Sequence, residues 1–324
     1  MISILKKNKS LNFVIACIVT AALSTLFIYL GVNTFEDYGW TVFAIIPFFS
    51  GFTTTLLISY YEPITFANAF KSSLLVFFAC CACLLLFAIE GIICILMAAP
   101  IAIPFVIIGA FVGYQIQHKK SSGVKMMILY VLVVPSLLAF ENHTDYEPTI
   151  FPITSSIEID APIEEVWKQV IEFPQMEEPT EFLFKTGIAY PINAKIEGKG
   201  VGAIRYCNFS TGSFVEPITA WNEPNLLAFS VEKQPIPMKE ISMYEINPAH
   251  LHEYFVSKKG QFKLTKLANG KTLVEGTTWY YNKIKPETYW KIWSTYIIHK
   301  IHDRVLNHIK TTCENKSNPL KIQS

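Results

Sequence analysis

The sequence predicts a protein of two parts. The first is an N-terminal all-α bundle of about five transmembrane helices, and the second is a C-terminal α+β domain whose curved antiparallel sheet surrounds a long final helix. Residues 1–140 contain only 7 of the 27 Lys and Arg residues and 4 of the 26 Asp and Glu residues. They also hold several long apolar runs, whereas the remaining residues show short alternating patterns, turn residues and a final amphipathic stretch.

The composition excludes several classes of protein. The chain is 51% hydrophobic and 16% charged, with a mean hydropathy of +0.33, whereas soluble proteins carry about 25% charged residues. This apolar composition excludes a disordered chain. The formal net charge is only +1 and the chain has no dense basic block, so we expect no nucleic-acid partner.

Each part of the bundle follows from an apolar run. A helix needs about 20 residues to cross the ~30 Å hydrocarbon layer. The first run is longer than the 7–15 apolar residues of a signal peptide, so we expect a retained helix. The fifth run is shorter and contains Pro135. The runs are 11–31, 40–60, 72–89, 91–117 and 126–140.

The distribution of lysines predicts the orientation of these helices. Lys6, Lys7 and Lys9 place the N-terminus in the cytoplasm by the positive-inside rule, and the basic loop at 118–125 falls on the same side. Five spans then place the C-terminal domain outside the bacterial cytoplasmic membrane. If the fifth run lies flat on the membrane, the same domain is cytoplasmic, and the sequence leaves this alternative open.

One helical face in the bundle carries chemically active side chains. Glu90, Cys94 and Met97 follow i, i+4, i+7 spacing, so they share a face and offer ligands for a soft metal. Glu90 lies at a predicted helix end where water reaches it, and Cys and Met pack as ordinary apolar residues. We therefore expect structural roles and no metal.

Small residues in the bundle predict close helix contacts. Gly109 and Gly113 form a GxxxG pattern, which favours close approach of two helices in lipid. Three nearby cysteines lack the spacing of a metal site, so packing is the expected role of Cys80, Cys81 and Cys83.

The C-terminal half begins with a linker at 141–153, followed by a folded domain at 154–312 and a polar tail at 313–324. Ile157 and Ile159 alternate with polar residues, which predicts a half-buried strand. Pro162 then suits the first turn of a helix. A second short helix is predicted at 176–182.

Strands dominate the middle of this domain. Asn269-Gly270 between two alternating runs is a strong hairpin signal, and Gly260 marks an expected bend or bulge. The final helix is predicted at 286–312, with an apolar face of Tyr289, Trp293, Ile297, Ile301, Val305 and Ile309. The predicted strands are 188–197, 201–209, 214–221, 226–233, 251–267 and 272–281.

An antiparallel sheet must cover one face, so the final helix is expected to lie across it. The element order and the opening Ile157-x-Ile159-x-Ala161-Pro162-x-Glu164-x-Val166-Trp167 resemble the START-like helix-grip superfamily (SRPBCC), which includes polyketide cyclases and lipid-transfer proteins. The resemblance covers residues 154–312. It implies a deep apolar cavity, and no catalytic set of any branch of the superfamily maps onto this sequence.

Polar and aromatic residues of this domain are candidates for ligand binding. Arg205 offers a bidentate clamp for a carboxylate or phosphate, and its alternative role is an ion pair with Glu216 on the next strand. The aromatic residues near the end of the chain either line the cavity mouth, touch the lipid interface or pack the core. The candidate ligand-binding residues are Arg205, Glu216, Trp279, Tyr281, Tyr289, Trp293 and His299.

The sequence gives weak candidates for catalysis. Glu240 is a general acid if it is buried, although a solvated loop position is the simpler expectation, and His250 is a second acid–base candidate. His250 with His252 and His299 with His302 offer four zinc ligands, but no Cys or Asp spacing supports such a site. We therefore predict no metal and no cofactor.

The expected function is membrane-anchored binding of a hydrophobic small molecule or lipid, with transfer or sensing as its use. The alternatives are a cyclase, dehydratase or hydrolase acting on a hydrophobic substrate, and a membrane platform for an unidentified protein partner with the C-terminal domain as its sensor. Binding is favoured over catalysis because no nucleophile motif or phosphate-binding loop is present.

Overall fold

The structure is a computed structural model that describes residues 9–117, 122–143, 147–240, 246 and 248–317. Within these residues the chain separates into two compact units. The helical unit comprises Met1–Tyr146, Glu240–His250 and Ile284–Pro286, and the sheet unit comprises Glu147–Lys239, Leu251–Lys283 and Glu287–Ser324. Lys6, Lys7 and the basic residues 118–120 lie outside the described residues.

The helical unit confirms the predicted all-α bundle. Among the described residues, five helices are long and apolar enough to cross a membrane. A π-helix at Leu30–Thr34 extends the first helix, and another at Thr41–Ile45 precedes the second. The helices are α1 (Lys9–Tyr29), α2 (Ile46–Ile58), α3 (Phe66–Leu86), α4 (Ile92–Ile116) and α5 (Ser122–Asn142).

Hydrogen bonds show which helix ends lie together. The Tyr38 hydroxyl donates to Glu90 over 2.8 Å, and the Thr41 N–H donates to the Glu141 carboxylate over 3.2 Å. These bonds bring the α1–α2 loop, the α3–α4 loop and the end of α5 to one end of the bundle. At the other end, the Gln117 side chain bonds both backbone groups of Ile64. The helices therefore alternate in direction.

Glycines allow close contact between α2 and α4. A methyl group at Gly109 would overlap the Phe48 carbonyl oxygen, and one at Gly51 would overlap the Val106 carbonyl oxygen. A methyl group at Gly113 would lie 2.9 Å from Thr55 Cβ, which is also closer than an ordinary contact. The close approach predicted at Gly109 and Gly113 is confirmed.

The sheet unit has the helix-grip fold. Within the described residues, seven strands form one antiparallel sheet in the order β1-β7-β6-β5-β4-β3-β2. The long helix α8 (Glu287–Ser317) contacts β1 and β7 at one edge of the sheet and β2 at the other, so the sheet curls around it. The strands are β1 (Phe151–Ile159), β2 (Pro191–Glu197), β3 (Ile204–Phe209), β4 (Gly212–Asn222), β5 (Leu226–Ser230), β6 (Phe255–Lys266) and β7 (Thr272–Asn282).

Two short helices follow β1, namely α6 (Ile163–Ile171) and α7 (Phe182–Lys185). Pro162 directly precedes α6, one position before the predicted first turn, and two glutamates occupy that turn. The amphipathic α6 packs into the core that the sheet forms with α8. This core includes Ile159, Val166, Trp167, Leu227, Leu264, Val274, Leu306 and Ile309.

Several element predictions require correction. The helix expected at 176–182 is absent, and α7 begins only at Phe182 because Pro174 and Pro179 interrupt a helix before it. β1 already begins at Phe151, and α8 continues to Ser317.

The apolar face predicted for the final helix is shifted in its first half. Trp290, Ser294 and Ile298 are buried, whereas Tyr289 and Trp293 are half-buried. The bulge in β6 falls between Ser257 and Lys259, not at Gly260, which has a different role described below.

Candidate functional site

A cavity of about 120 Å³ lies between the inner face of the sheet and α8. Four strands and the helix supply an apolar lining. The strands place every second side chain on this inner face, because successive side chains point to opposite faces. The apolar lining comprises Phe209, Phe214, Phe229, Val231, Phe255, Phe262, Ile298, Ile301, Val305 and Leu306.

Two glycines shape the cavity. A Cβ atom at Gly260 would come within 2.6 Å of the Phe229 ring, so the glycine lets that ring lie across β6. A Cβ atom at Gly276 would meet only Phe262, at 3.5 Å. Gly276 therefore leaves room in the cavity that a larger side chain would fill.

Arg205 and Glu216 form a buried ion pair in the cavity wall. They are directly opposite each other on β3 and β4, with exposed fractions of 2% and 5%. The Arg205 Nε also donates to the Ile171 carbonyl over 3.1 Å, and its guanidinium lies 5.5 Å from the centre of the Phe229 ring. The ion-pair alternative for Arg205 is confirmed, and its role as a ligand clamp stays a prediction.

His302 is the polar residue of α8 that lines the cavity. His302 Nε2 lies 2.8 Å from the Thr278 hydroxyl, and Nδ1 lies 3.2 Å from the Ser155 hydroxyl. Burial, together with the neighbouring His299, lowers the pKa of His302 to about 4. The imidazole is therefore neutral near pH 7, with one nitrogen donating and the other accepting.

The other predicted ligand-binding residues lie away from the cavity lining. His299 Nδ1 lies 2.7 Å from the Ser155 hydroxyl, which also bonds His302. Trp279 and Tyr281 occupy the opposite face of β7 from Gly276, where they contact lysine side chains. Tyr289 and Trp293 are half-buried on α8 outside the lining. Of the seven candidates, the cavity brings together Arg205 and Glu216.

Glu240 and His250 also lie outside the cavity lining and pack in the helical unit. Glu240 is 8% exposed, so the expectation of a solvated loop carboxylate is wrong. Its carboxylate lies directly against Gly91, where any side chain would overlap it, and so it faces the N-terminus of α4. Burial raises the pKa of Glu240.

These two residues belong to a buried cluster with Glu90 and Cys94. The Cys94 thiol donates to Glu240 Oε1 over 2.7 Å, and His250 Nε2 lies 3.0 Å from the same sulfur. His250 Nδ1 lies 3.7 Å from Glu90 Oε1. Burial raises the pKa of Glu90 to about 8, and the hydrogen bond from Tyr38 opposes this shift.

Sequence reasoning missed Phe229, Phe262 and Gly276 as cavity residues. Phe262 and Gly276 are paired across β6 and β7 and so share a face. The alternation along each strand shows which of its own residues share a face, but the sequence alone does not show which residues of neighbouring strands are paired.

No protein-family model matches this chain, and no curated protein is significantly similar to it. Solved structures do match the C-terminal half. A protein from Nitrosospira multiformis is 19% identical, with a TM-score of 0.33, and the match covers 52% of this chain and 99% of that one.

Two further matches are similar in extent. A START superfamily protein from Mycobacterium smegmatis is 11% identical, with a TM-score of 0.33, over 51% of this chain and 98% of its own. An aromatase/cyclase from a Streptomyces species is 9% identical, with a TM-score of 0.34, over 52% of this chain and 96% of its own.

Proposed function

We propose that the protein binds an uncharged hydrophobic small molecule or lipid chain in the cavity of its sheet unit, and that its five apolar helices anchor it in a membrane. The observation that carries this proposal is the cavity of about 120 Å³ with its largely aromatic and aliphatic lining. An apolar cavity of about 150 Å³ holds a benzene molecule. The cavity here is somewhat smaller, so it suits at most one ring or a short length of alkyl chain.

The polar groups of the cavity favour an uncharged ligand. The charge of Arg205 is already matched by Glu216, so an anionic head group would have to break a buried ion pair. His302 is neutral near pH 7, since its pKa is lowered to about 4. A carbonyl or hydroxyl group, as in a quinone or a lipid alcohol, fits the neutral hydrogen-bonding groups of His302, Thr277 and Thr278 in the lining.

Binding is favoured over catalysis by the placement of the acid–base candidates. Glu240 and His250 are not among the cavity-lining residues. His302 does line the cavity, but its low pKa makes it a weak base and both of its nitrogens already have hydroxyl partners. A cyclase, dehydratase or hydrolase would need a stronger acid or base in contact with its substrate.

The proposed anchor places the cavity where its ligands are concentrated. Lipids and quinone-like molecules partition into the bilayer, and the five helices are long and apolar enough to cross it. If the N-terminus is cytoplasmic, as the positive-inside rule predicts, alternating helices would put the end of α5 outside a bacterial cytoplasmic membrane. The sheet unit follows α5 and is proposed to be extracytoplasmic.

The test is to identify the occupant of the cavity in the full-length protein. Detergent-purified protein is extracted with organic solvent, and small molecules above a detergent blank are measured by mass spectrometry. In the Gly276→Val variant the new side chain points into the cavity, so co-purified ligand should fall at least severalfold. Glu275→Val is the matched control, because it places the same side chain on the opposite face of the same strand.

Two results would contradict the proposal. One is wild-type protein that carries no molecule above the blank in repeated preparations. The other is a recovered molecule whose amount is equal in the wild type, in Gly276→Val and in Glu275→Val, since its site would then lie elsewhere.

A further inference from the structure

A thiol, an imidazole and a carboxylate meet at the end of the helical unit where α4 begins. Cys94 is the third residue of α4, Glu90 precedes the Gly91 cap, and His250 comes from the segment between β5 and β6. One ligand atom from each of the three lies within 4.8 Å of the other two. We propose that Glu90, Cys94 and His250 bind a divalent transition-metal ion, with zinc the best fit.

The distances suit such a site with small side-chain adjustments. Zinc lies about 2.0–2.3 Å from N, O and S ligands, so neighbouring ligands of a tetrahedral ion are about 3.3–3.5 Å apart. His250 Nε2 lies 3.0 Å from Cys94 Sγ, close to this separation. Glu90 Oε1 lies 3.7 Å from the other ring nitrogen, Nδ1, so binding of one ion by all three residues requires the Glu90 carboxylate to turn towards Nε2.

Two carboxyl groups are buried in the cluster without a Lys or Arg partner among the described residues. Glu90 is 7% exposed and Glu240 is 8% exposed, and both lie beside the Cys94 thiol. In the part of the chain that the structure describes, no Lys or Arg forms an ion pair with either carboxylate. A divalent ion bound beside them would offset the cost of burying these carboxylates in their charged form.

One carboxylate oxygen also lacks a partner. Glu90 Oε1 accepts a hydrogen bond from Tyr38, whereas Glu90 Oε2 is buried without any hydrogen-bond partner among the described residues. A buried acceptor without a partner is destabilising. The Tyr38 bond holds the carboxylate in place, as outer-shell groups do around metal ligands, and the second oxygen is available for the ion.

The ligand types select the metal. Thiolate, imidazole and carboxylate together are typical of zinc sites, whereas calcium and magnesium take oxygen ligands almost alone. Cys94 and His250 are 156 positions apart in the chain. A bound ion would therefore fasten the segment that carries His250 to the start of α4.

The test measures metal binding by the full-length protein in detergent. After incubation with zinc chloride and dialysis, elemental analysis should find one zinc per wild-type chain. Cys94→Ser and His250→Asn should lower zinc affinity by at least tenfold. Cys83→Ser and His252→Asn are the matched controls, because each removes the same functional group outside the cluster, and they should bind as the wild type does.

Two readouts on the wild type keep the proposal falsifiable if a variant fails to fold. Cobalt bound in place of zinc should show thiolate-to-cobalt charge-transfer absorption, and zinc should protect Cys94 from alkylation by iodoacetamide, as mapped by peptide mass spectrometry. Tyr38→Phe should weaken zinc binding by about 10–100-fold. Wild-type chains that retain no zinc, a cobalt spectrum without thiolate absorption, or equal alkylation with and without zinc would each overturn the site.

Discussion

The ion pair between Arg205 and Glu216 places two opposite charges inside an apolar domain. Their side chains face each other across β3 and β4, and aromatic rings surround the guanidinium. The desolvation cost of such a pair is offset only while both partners are present. Replacing only one of the two residues should therefore destabilise the protein far more than replacing both.

We expect Arg205→Leu to lower the free energy of unfolding by about 3–5 kcal/mol, because Glu216 would be left as an unpaired buried charge. The double variant Arg205→Leu/Glu216→Leu should recover most of this loss. Chemical denaturation of the full-length protein, followed by the tryptophan fluorescence of the sheet unit, measures both. A double variant no more stable than the single one would contradict this account.

His302 should make the sheet unit sensitive to acid. Burial lowers its pKa to about 4 in the folded state, whereas an exposed histidine in the unfolded chain has a pKa near 6.5. The unfolded state therefore binds more protons between these values. The stability contributed by neutral His302 is complete above about pH 6.5 and is lost as the pH falls towards 4.

The free energy of unfolding should fall by up to about 3 kcal/mol as the pH is lowered from about 6.5 to about 4. His302→Gln should flatten the pH dependence, since glutamine does not titrate, and the exposed His252→Gln should leave it unchanged. Denaturation midpoints at a series of pH values provide the measurement. If the denaturation midpoint depends on pH in the same way in His302→Gln and in the wild type, another group causes the acid sensitivity.

Single residues could be predicted from the sequence only where local pattern fixes their neighbours. Arg205 and Glu216 lie on consecutive strands, so their pairing followed from a hairpin register. Glu240 and His250 could not be placed, because their partners Glu90 and Cys94 lie more than 140 residues away in the helical unit. No periodicity records a contact between such distant segments.

At the scale of elements, the contact between α2 and α4 depends on backbones that touch at glycines. Gly109 lies against the Phe48 carbonyl and Gly51 against the Val106 carbonyl. Small residues at such positions allow close packing without a hydrophobic driving force between helices.

Gly109→Val should force the two helices apart and destabilise the helical unit by at least about 1–3 kcal/mol, the usual cost of overpacking. Ala99→Val is a suitable control, because Ala99 is half-exposed on the same helix. Thermal denaturation in detergent compares the two. Equal melting temperatures for both variants would argue against a tight α2–α4 contact.

The elements differ in how far the sequence determines them. Long apolar runs predicted all five bundle helices, because hydropathy over about 20 residues is a strong signal. The predicted buried face of α8 was wrong in the first half of the helix, because Tyr289, Trp290 and Trp293 place aromatic residues on several sides of its first turns. Hydrophobicity alone does not choose among such residues, and the structure buries Trp290.

At the scale of the whole molecule, the number of spans determines the side of the sheet unit. A C-terminal alkaline phosphatase fusion should be active and a C-terminal green fluorescent protein fusion should be dark, since these reporters work on opposite sides of a bacterial membrane. Fusions after Ile64, in the loop expected to be cytoplasmic, should give the reverse pattern. A fluorescent C-terminal fusion would show that the fifth apolar run does not span.

The sequence predicted a simple succession of domains, and the structure differs from it in one respect. Glu240, the described residues 248–250 and Ile284–Pro286 lie between elements of the sheet unit in the chain but pack with the helical unit. Composition could not reveal this, because these short segments are neither long apolar runs nor regular strands.

This interleaving limits how the protein can be divided by genetic engineering or by evolution. A cut after residue 146 would release the sheet unit together with two segments whose packing partners remain on the other fragment. Grafting the sheet unit onto a different helical unit would therefore require redesign of both segments, so we expect the two halves to be inherited together rather than exchanged as independent modules.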